Sequence, residues 1–129
     1  MEKHVQVKTT VQIPVEKIQD LITTAIEGGC HYWAQFEFPE NWKEKYKDYS
    51  HIPFMDGEIK VYDVETGELL GYLNRATMQV GLQLMADQKD MKGKVIPARH
   101  FKALATDSED AETADVFLQL SVLGEIVYG

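Results

Sequence analysis

The segment ADVFLQLSVLG, residues 114–124, is apolar around most of its circumference when it is drawn as a helix. A helix that is apolar on all sides is buried on all sides, so this segment predicts the central helix of the core. The capping-box spacing of Thr106 and Glu109 predicts where the helix begins, and Gly124 is expected to end it. The residues that follow, EIVYG, predict a terminal strand that docks into a sheet.

Two more helices are expected to pack beside this one. Residues 14–29, PVEKIQDLITTAIEGG, repeat apolar positions at spacings of three and four and offer Gly28 or Gly29 as a left-handed stop. The predicted inner side consists of Val15, Ile18, Leu21, Ile22, Ala25 and Ile26. Asn74 is placed to cap a helix that runs to Asp87, with Met78, Leu82 and Met85 on its inner side.

Alternation of apolar and polar residues predicts the strands. HVQVKTTVQI at 4–13 and CHYWAQFEFP at 30–39 both alternate, and GEIKVYDVETGELLGYL at 57–73 is typical of a hairpin with Thr66 and Gly67 in its turn. The expected fold class is therefore α+β. We expect a single domain over residues 1–129, with an antiparallel sheet of four to five strands and about three helices packed mainly on one face.

The bulk composition is that of an ordinary globular chain. With 129 residues, of which 44% are hydrophobic and 26% charged, the chain can form one core. The single cysteine, Cys30, has no partner for an intrachain disulfide and favours a reducing cytoplasm. No apolar run approaches the roughly 20 residues that span a membrane, and the first residues lack the apolar core of a signal peptide. Neither membrane attachment nor export is expected.

The acids are unevenly distributed along the chain. The net charge is −8, and residues 103–129 contain six acids but no lysine or arginine. Five of the six fall within nine residues, namely Asp107, Glu109, Asp110, Glu112 and Asp115. Acids suit the start of a helix, but five exceed what capping needs. The surplus predicts a negative surface that repels nucleic acid and attracts a basic protein, with a merely solvated helix face as the alternative.

Two segments resemble small phage and prophage accessory proteins of unassigned function. TAIEGGCHYW at 24–33 is similar to their T-A-x-E-G-G-x-x-Y-W signature, and DAETADVFLQLSVLGEIVYG at 110–129 is similar to their shared ending. Together the two segments cover 30 of 129 residues. The resemblance implies a phage-encoded protein in the cytoplasm of the host bacterium, where many such proteins disable a defence system by binding one of its components. It implies no catalytic residues, because none is established for that group.

The acidic run and the resemblance together predict an anti-defence protein that is not an enzyme. It would inhibit a bacterial immune component, such as a CRISPR-type nuclease complex, by binding a host defence protein that has a basic surface. The predicted contacts are the acids at 107–115 and the exposed aromatics of residues 31–49, with Trp33 and Trp42 among them. No cofactor is expected. Exposed aromatics and a terminal strand also allow a homodimer.

A small-ligand binder is the alternative function. The chain has 11 lysines but only two arginines, and the planar guanidinium of arginine suits phosphate recognition. Arg75 and Arg99, with His31 and Trp33, therefore predict a site that sequesters a nucleotide immune signal. An internal salt bridge is the other interpretation of the arginines. For EGGCHYW, residues 27–33, the other interpretation is a glycine helix stop followed by core aromatics.

The sequence does not indicate catalytic or metal chemistry. Cys30 and His31 are neighbours in a predicted strand, where adjacent side chains point to opposite faces, so the imidazole would not reach the thiol. The four histidines and one cysteine lack the paired spacings of zinc sites. We therefore expect neither a catalytic centre nor a bound metal.

Overall fold

The sheet has three strands. The computed structural model describes residues 2–106 and 109–129, and in these ranges β1 is Ala34–Glu37, β2 is Ile59–Asp63 and β3 is Leu69–Leu73. They pair antiparallel in the order β1-β2-β3. The α+β class is confirmed, but the prediction of four to five strands is wrong. The predicted hairpin is present as β2 and β3 with Gly67 left-handed in its turn, whereas neither terminal segment adds a strand.

The described ranges contain five α-helices, more than the three or so that were expected. These are α1 Val15–Thr24, α2 Trp42–Lys45, α3 Arg75–Asp87, α4 Arg99–Ala105 and α5 Ala111–Val122. A π-helical turn, Ala25–Gly29, follows α1, and a 3-10 helix, Tyr49–Met55, precedes β2. The additional helices are short, since α2 has four residues and α4 has seven. Such lengths are too short for apolar periodicity to indicate a helix.

α5 is the central helix, as its apolar circumference predicts. Eight of its twelve residues are buried, and it contacts α1, α3, α4, β3 and the π-helical turn. The approach of α3 is so close that a Cβ atom at Gly81 would lie 2.1 Å from Ser121 Oγ, and only glycine fits there. The predicted N-terminus of α5 is wrong. Asp110, and not Thr106, is the N-cap, because its carboxylate accepts a hydrogen bond from the Thr113 backbone N–H at 2.9 Å.

The two other predicted helices are present, with one difference at the end of α1. Asn74 caps α3 by accepting a hydrogen bond from the Thr77 backbone N–H at 2.9 Å. The predicted inner side of α1 is buried except for Val15. No left-handed glycine stops α1. Instead, the N–H of Cys30 donates to the carbonyl of Ala25, five residues back, and the chain leaves the helix through the wider π-helical turn.

The N-terminal arm, residues 2–13, is the largest departure from the expected sheet. It contains no strand, although its apolar and polar residues alternate. Val5, Val7 and Val11 are 83%, 74% and 60% exposed, and Ile13 is the residue that packs against the core. A strand needs a neighbouring strand to accept and donate its backbone hydrogen bonds. None of the described strands lies beside the arm.

The predicted terminal strand is also absent. Gly124 ends α5 with a left-handed φ of 75°, as expected, but the residues after it form no strand. A glutamine side chain of α5, described below, hydrogen-bonds the backbone of this tail in place of a neighbouring strand. Within the described ranges, no helix combines the length and apolar character that crossing a membrane requires.

Candidate functional site

Asp115, one turn into α5, collects hydrogen bonds from the segment that follows the π-helical turn. Its Oδ1 accepts from Trp33 Nε1 at 2.8 Å and from Gln119 Nε2 at 3.0 Å. The hydroxyl of Tyr32 donates to Oδ2, and the thiol of Cys30 lies 3.5 Å from Oδ1. Four donors therefore surround one carboxylate, and hydrogen bonds to the charged form compensate for its partial burial.

The tail docks onto the same centre. Gln119 Oε1 accepts from the backbone N–H groups of Val127 and Tyr128, at 2.8 and 2.9 Å, and its Nε2 donates to the Tyr128 carbonyl at 3.2 Å. The Tyr128 ring stacks on Trp33 with centroids 4.9 Å apart and planes 9° apart, and its hydroxyl donates to Asp63 at 3.0 Å. Residues from 24–33 and from 110–129 thus meet in one network. Trp33 is only 1% exposed, so the network is part of the core.

The Cys30 thiol is not an activated nucleophile in this network. Burial raises its pKa far above the ordinary value, and the negative charge of Asp115 and its hydrogen bond raise it further. The thiol therefore stays protonated near neutral pH, whereas nucleophilic attack requires the thiolate. His31, the neighbour that was considered as its base, is instead hydrogen-bonded to the carbonyl of Ile26.

His31 and Trp33 do not share a face, although a strand over residues 30–39 would place both side chains on the same side. Residues 30–33 form a turn, closed by hydrogen bonds from the N–H groups of Trp33 and Ala34 to the Cys30 carbonyl at 3.1 and 2.9 Å. The strand begins only at Ala34, and the turn leaves His31 exposed while Trp33 points into the core. From Ala34 onward the predicted alternation holds, because Gln35 is exposed between the buried Ala34 and the half-buried Phe36.

The acidic run at the start of α5 is engaged within the chain. Asp107 lies outside the described residues. Glu109 pairs with Lys17 at 3.6 Å, Asp110 caps α5, and Glu112 pairs with Arg99. Asp115 and Trp33 lie inside the network described above, which corrects their predicted place on an exposed surface. Charge that is compensated by a fixed neighbour attracts an outside partner less than the same charge left alone.

α4 contributes a buried histidine that sequence patterns missed. His100 is 2% exposed, and its Nδ1 lies 3.1 Å from the Thr113 hydroxyl of α5. Burial lowers the pKa of His100, and the neighbouring Arg99 lowers it further, so the ring is neutral near pH 7. His100 and the Arg99–Glu112 ion pair together join α4 to the first turn of α5. A lone histidine in an irregular segment gives no signal of this role.

The predicted ligand set is not available as one site. Arg99 is occupied by Glu112, His31 by the Ile26 carbonyl, and Trp33 is buried beneath Tyr128. Arg75, the first residue of α3, is exposed, and its side chain has no hydrogen-bond or ion-pair partner among the described residues. One unengaged arginine does not make a phosphate site, because such sites combine several donors.

A second acidic region lies where β1 ends and β2 begins. We name it the sheet-end groove. Its volume is 540 Å³, and its lining residues are Glu37, Phe38, Pro39, Glu40, Tyr46, Asp56, Gly57, Glu58 and Lys60. The groove therefore combines four carboxylates with one lysine and two aromatic rings. Its potential is negative, and its walls offer apolar contact.

The carboxylates of the groove differ in how they are compensated. Glu37 pairs with Lys60 across the two strands at 3.6 Å, and Glu58 accepts a hydrogen bond from the Asn74 side chain at 3.0 Å. Glu40 and Asp56 are exposed, and neither side chain forms a hydrogen bond or ion pair with any residue in the described ranges. Their two negative charges remain available to a partner.

Local backbone features shape the groove. Asp56 adopts a left-handed φ of 62° and turns the chain toward β2. At the next position, a Cβ atom would lie 2.6 Å from Ile52 Cγ2 and 2.7 Å from the Tyr46 hydroxyl, so Gly57 lets Tyr46 form one wall. On the opposite side, Pro39 follows β1 and directs the chain away from the sheet.

An aromatic cluster continues from the groove. Phe38 contacts Trp42 and Tyr49 with ring centroids 5.1 and 5.5 Å apart, and Lys43 lies 5.7 Å above the Trp42 ring. The hydroxyl of Tyr49 donates to Glu27 at 2.6 Å. Burial, and then that carboxylate, raise the pKa of Tyr49 to about 12. Trp42, a predicted contact residue, is half-buried. It lies beside the groove because it contacts Phe38, which lines the groove.

Sequence reasoning missed the groove because its acids come from separate segments. Glu37 and Glu40 are brought to Asp56 and Glu58 only by the pairing of β1 with β2, in which Glu37 lies opposite Lys60. The groove could have been found only from the pairing of β1 with β2. β-Propensity predicts the strands but does not specify which of them pair.

Comparison of the chain with known protein families, curated proteins and solved structures found no match.

Proposed function

We propose that this chain is a phage-encoded anti-defence protein that inhibits a bacterial immune component by binding it, without catalysing a reaction. The phage origin rests on the resemblance of residues 24–33 and 110–129. The binding mode rests on the sheet-end groove, where two uncompensated carboxylates lie beside aromatic walls. A basic segment of the target would place lysine or arginine side chains against Glu40 and Asp56, and its apolar parts against Phe38 and Tyr46.

The groove supports protein binding better than the acidic run does. In the run, each described acid already has a partner within the chain. In the groove, binding a basic segment would add charge pairs without first breaking internal ones. Exposed charges at the edge of an interface act mainly on the rate of association, and salt screens them. The proposed complex should therefore weaken as salt is raised.

The experiment uses the whole protein and a double variant, E40Q/D56N. The control is E65Q/E68Q, which removes two exposed acids from the turn between β2 and β3 and so has the same net charge. Each protein is expressed in bacteria that carry an active CRISPR-type system, and the transformation efficiency of a targeted plasmid is measured. We expect the wild type and the control to restore transformation, and the groove variant to lose at least about tenfold of that effect.

Three outcomes would contradict the proposal. Failure of the wild type to protect plasmids from that system and from a panel of other defence systems would reject the inhibitory function. Equal protection by E40Q/D56N would reject the groove as the contact surface. Multiple-turnover loss of a nucleotide or protein substrate in purified mixtures would reject the non-enzymatic mechanism.

A further inference from the structure

The N-terminal arm has the pattern of a strand without a strand partner. Its odd-numbered residues from Val5 to Ile13 are apolar or threonine, and the residues between them are polar. Three of its valines expose 60% or more of their surface. Among the described residues, no backbone group of residues 2–13 pairs with a strand. An alternating segment with unpaired backbone donors and acceptors suits pairing with another strand.

Two cavities whose walls combine apolar and polar residues border the arm. A 510 Å³ cavity is lined by Val11, Ile13, Phe101 and Leu104, and a 300 Å³ cavity is lined by Thr9, Val11, Ile13 and Leu82, again with Phe101. Val11 and Ile13 therefore separate two spaces that the chain itself leaves unfilled. A second strand laid beside the arm could place apolar side chains in them.

We propose that the arms of two copies of this chain pair antiparallel with each other across a two-fold axis. Pairing centred on Thr9 would place Val7 of one copy opposite Val11 of the other, and Val5 opposite Ile13. All of these side chains lie on one face because opposite residues in an antiparallel pair share a face. The second copy thus brings two valines to the residues that border the cavities.

Charge favours the same register. Pairing centred on Thr9 sets Lys8 opposite Thr10, which avoids two lysines facing each other across the strands. The arm is basic, with Lys3 and Lys8 against Glu2, although the chain as a whole has a net charge of −8. The pairing would end at Ile13, because Pro14 has no N–H and α1 begins at Val15, and Lys3 of one copy would then lie near the start of α1 in the other. There Glu16 and Asp20 line the larger cavity.

In this arrangement the two copies contact each other through the same surface, the N-terminal arm. Each copy provides one arm and one pair of cavities, so a two-fold axis closes the assembly at a dimer. The sheet-end groove lies at the junction of β1 and β2, which is not part of the arm, and the dimer would carry two such grooves. The inference is independent of the proposed function.

The first experiment measures mass by light scattering across a wide range of protein concentration. The variant is Val7→Glu, and the control is Val95→Glu, because the two valines are 74% and 75% exposed and neither is in the core. We expect the wild type and V95E to dimerise, and V7E to raise the dimer dissociation constant at least about tenfold, since the change occurs twice per dimer. A wild type that stays monomeric, or a V7E variant that dimerises equally well, would overturn the proposal.

The second experiment tests the register. Thr9→Cys places two thiols directly across the axis, at a separation that a disulfide can bridge, whereas Thr10→Cys places each thiol opposite residue 8 of the other copy. Cys30 is fully buried, so the wild type controls for background oxidation. We expect fast crosslinking of T9C alone. A dimer in which T9C does not crosslink, as would follow if the arm paired with β1 of the second copy, would overturn the arm-to-arm pairing, as would equal crosslinking of T10C.

Discussion

The acids at the start of α5 and the acids of the sheet-end groove differ in what surrounds them. Those at the start of α5 are close in sequence, and four of them have internal partners, from the Asp110 cap to the Asp115 network. Those of the groove come from separate segments, and two of them, Glu40 and Asp56, have no partner within the described ranges. The dense run of acids in the sequence thus marks structural positions, whereas the groove brings acids from separate segments together and leaves two of them uncompensated.

Among the variants considered, Asp115→Ala should lower the free energy of unfolding most, and so show most clearly that the acids of α5 are structural. The change leaves the indole N–H of Trp33 without its acceptor in the core and removes the acceptor of Tyr32. We expect the free energy of unfolding to fall by about 3 kcal/mol, because buried donors lose a charged partner. Urea denaturation followed by tryptophan fluorescence measures the effect. Glu112→Ala, which removes an exposed ion pair, is the control, and a similar loss in both variants would mean that Asp115 is an ordinary surface acid.

Tyr128→Ala tests whether the tail belongs to the same structural region. It removes the stack on Trp33 and the hydrogen bond to Asp63. The expected loss of stability is about 2 kcal/mol, from a half-buried ring and its aromatic pair. Tyr128→Phe keeps the stack and should retain most of that stability, and the exposed Val127→Ala should change little. If thermal denaturation shows that Y128A loses no more stability than V127A, the tail does not complete the core.

Asp110→Ala removes the N-cap of α5 and should lower stability by about 1 kcal/mol at pH 7. The backbone N–H of Thr113 lowers the pKa of the Asp110 carboxyl below its ordinary value of 3.8. Stabilisation by a group with a lowered folded-state pKa is complete well above pH 3.8 and is lost as the pH falls through the lower folded-state value. The difference between wild type and D110A should therefore shrink on acidification. Asn, an equally good cap, serves as the control, since D110N should retain stability at pH 7.

The groove double variant E40Q/D56N should have the smallest effect on folding. Both acids are exposed and unpaired among the described residues, so the free energy of unfolding should change by no more than about 0.5 kcal/mol. Chemical denaturation in parallel with the plasmid assay provides the measurement. A loss of stability comparable to that of D110A would show that these acids, too, are structural. The contrast between the two regions would then disappear.

Local signals predicted the elements whose residues interact with near neighbours. The Asn74 cap, the Gly67 turn and the apolar circumference of α5 depend on residues a few positions apart, and all three are present in the structure. The expected α+β class followed from these elements. The predicted strand count is wrong because neither terminal segment pairs with the sheet. The alternation of residues 4–13 indicates a suitable strand, but neither it nor the composition of EIVYG indicates a neighbour to pair with.

The site could be predicted only in part. Trp42 was singled out and lies beside the sheet-end groove, but the groove itself depends on the register of β1 with β2. Alternation over residues 30–39 predicts an exposed Trp33, but residues 30–33 form a turn and Trp33 is buried. The acceptor for its indole is 82 positions away in sequence, a separation that no local pattern encodes.

The separation between Trp33 and its acceptor has a consequence for how the protein is made. Trp33 is synthesised well before Asp115 and Tyr128, so for much of the chain's synthesis its indole has neither its hydrogen-bond acceptor nor its stacking partner. Contacts over such distances close late, because the loop between them must first be ordered. We therefore expect Trp33 to become buried only when α5 and the tail dock, at a late step of folding.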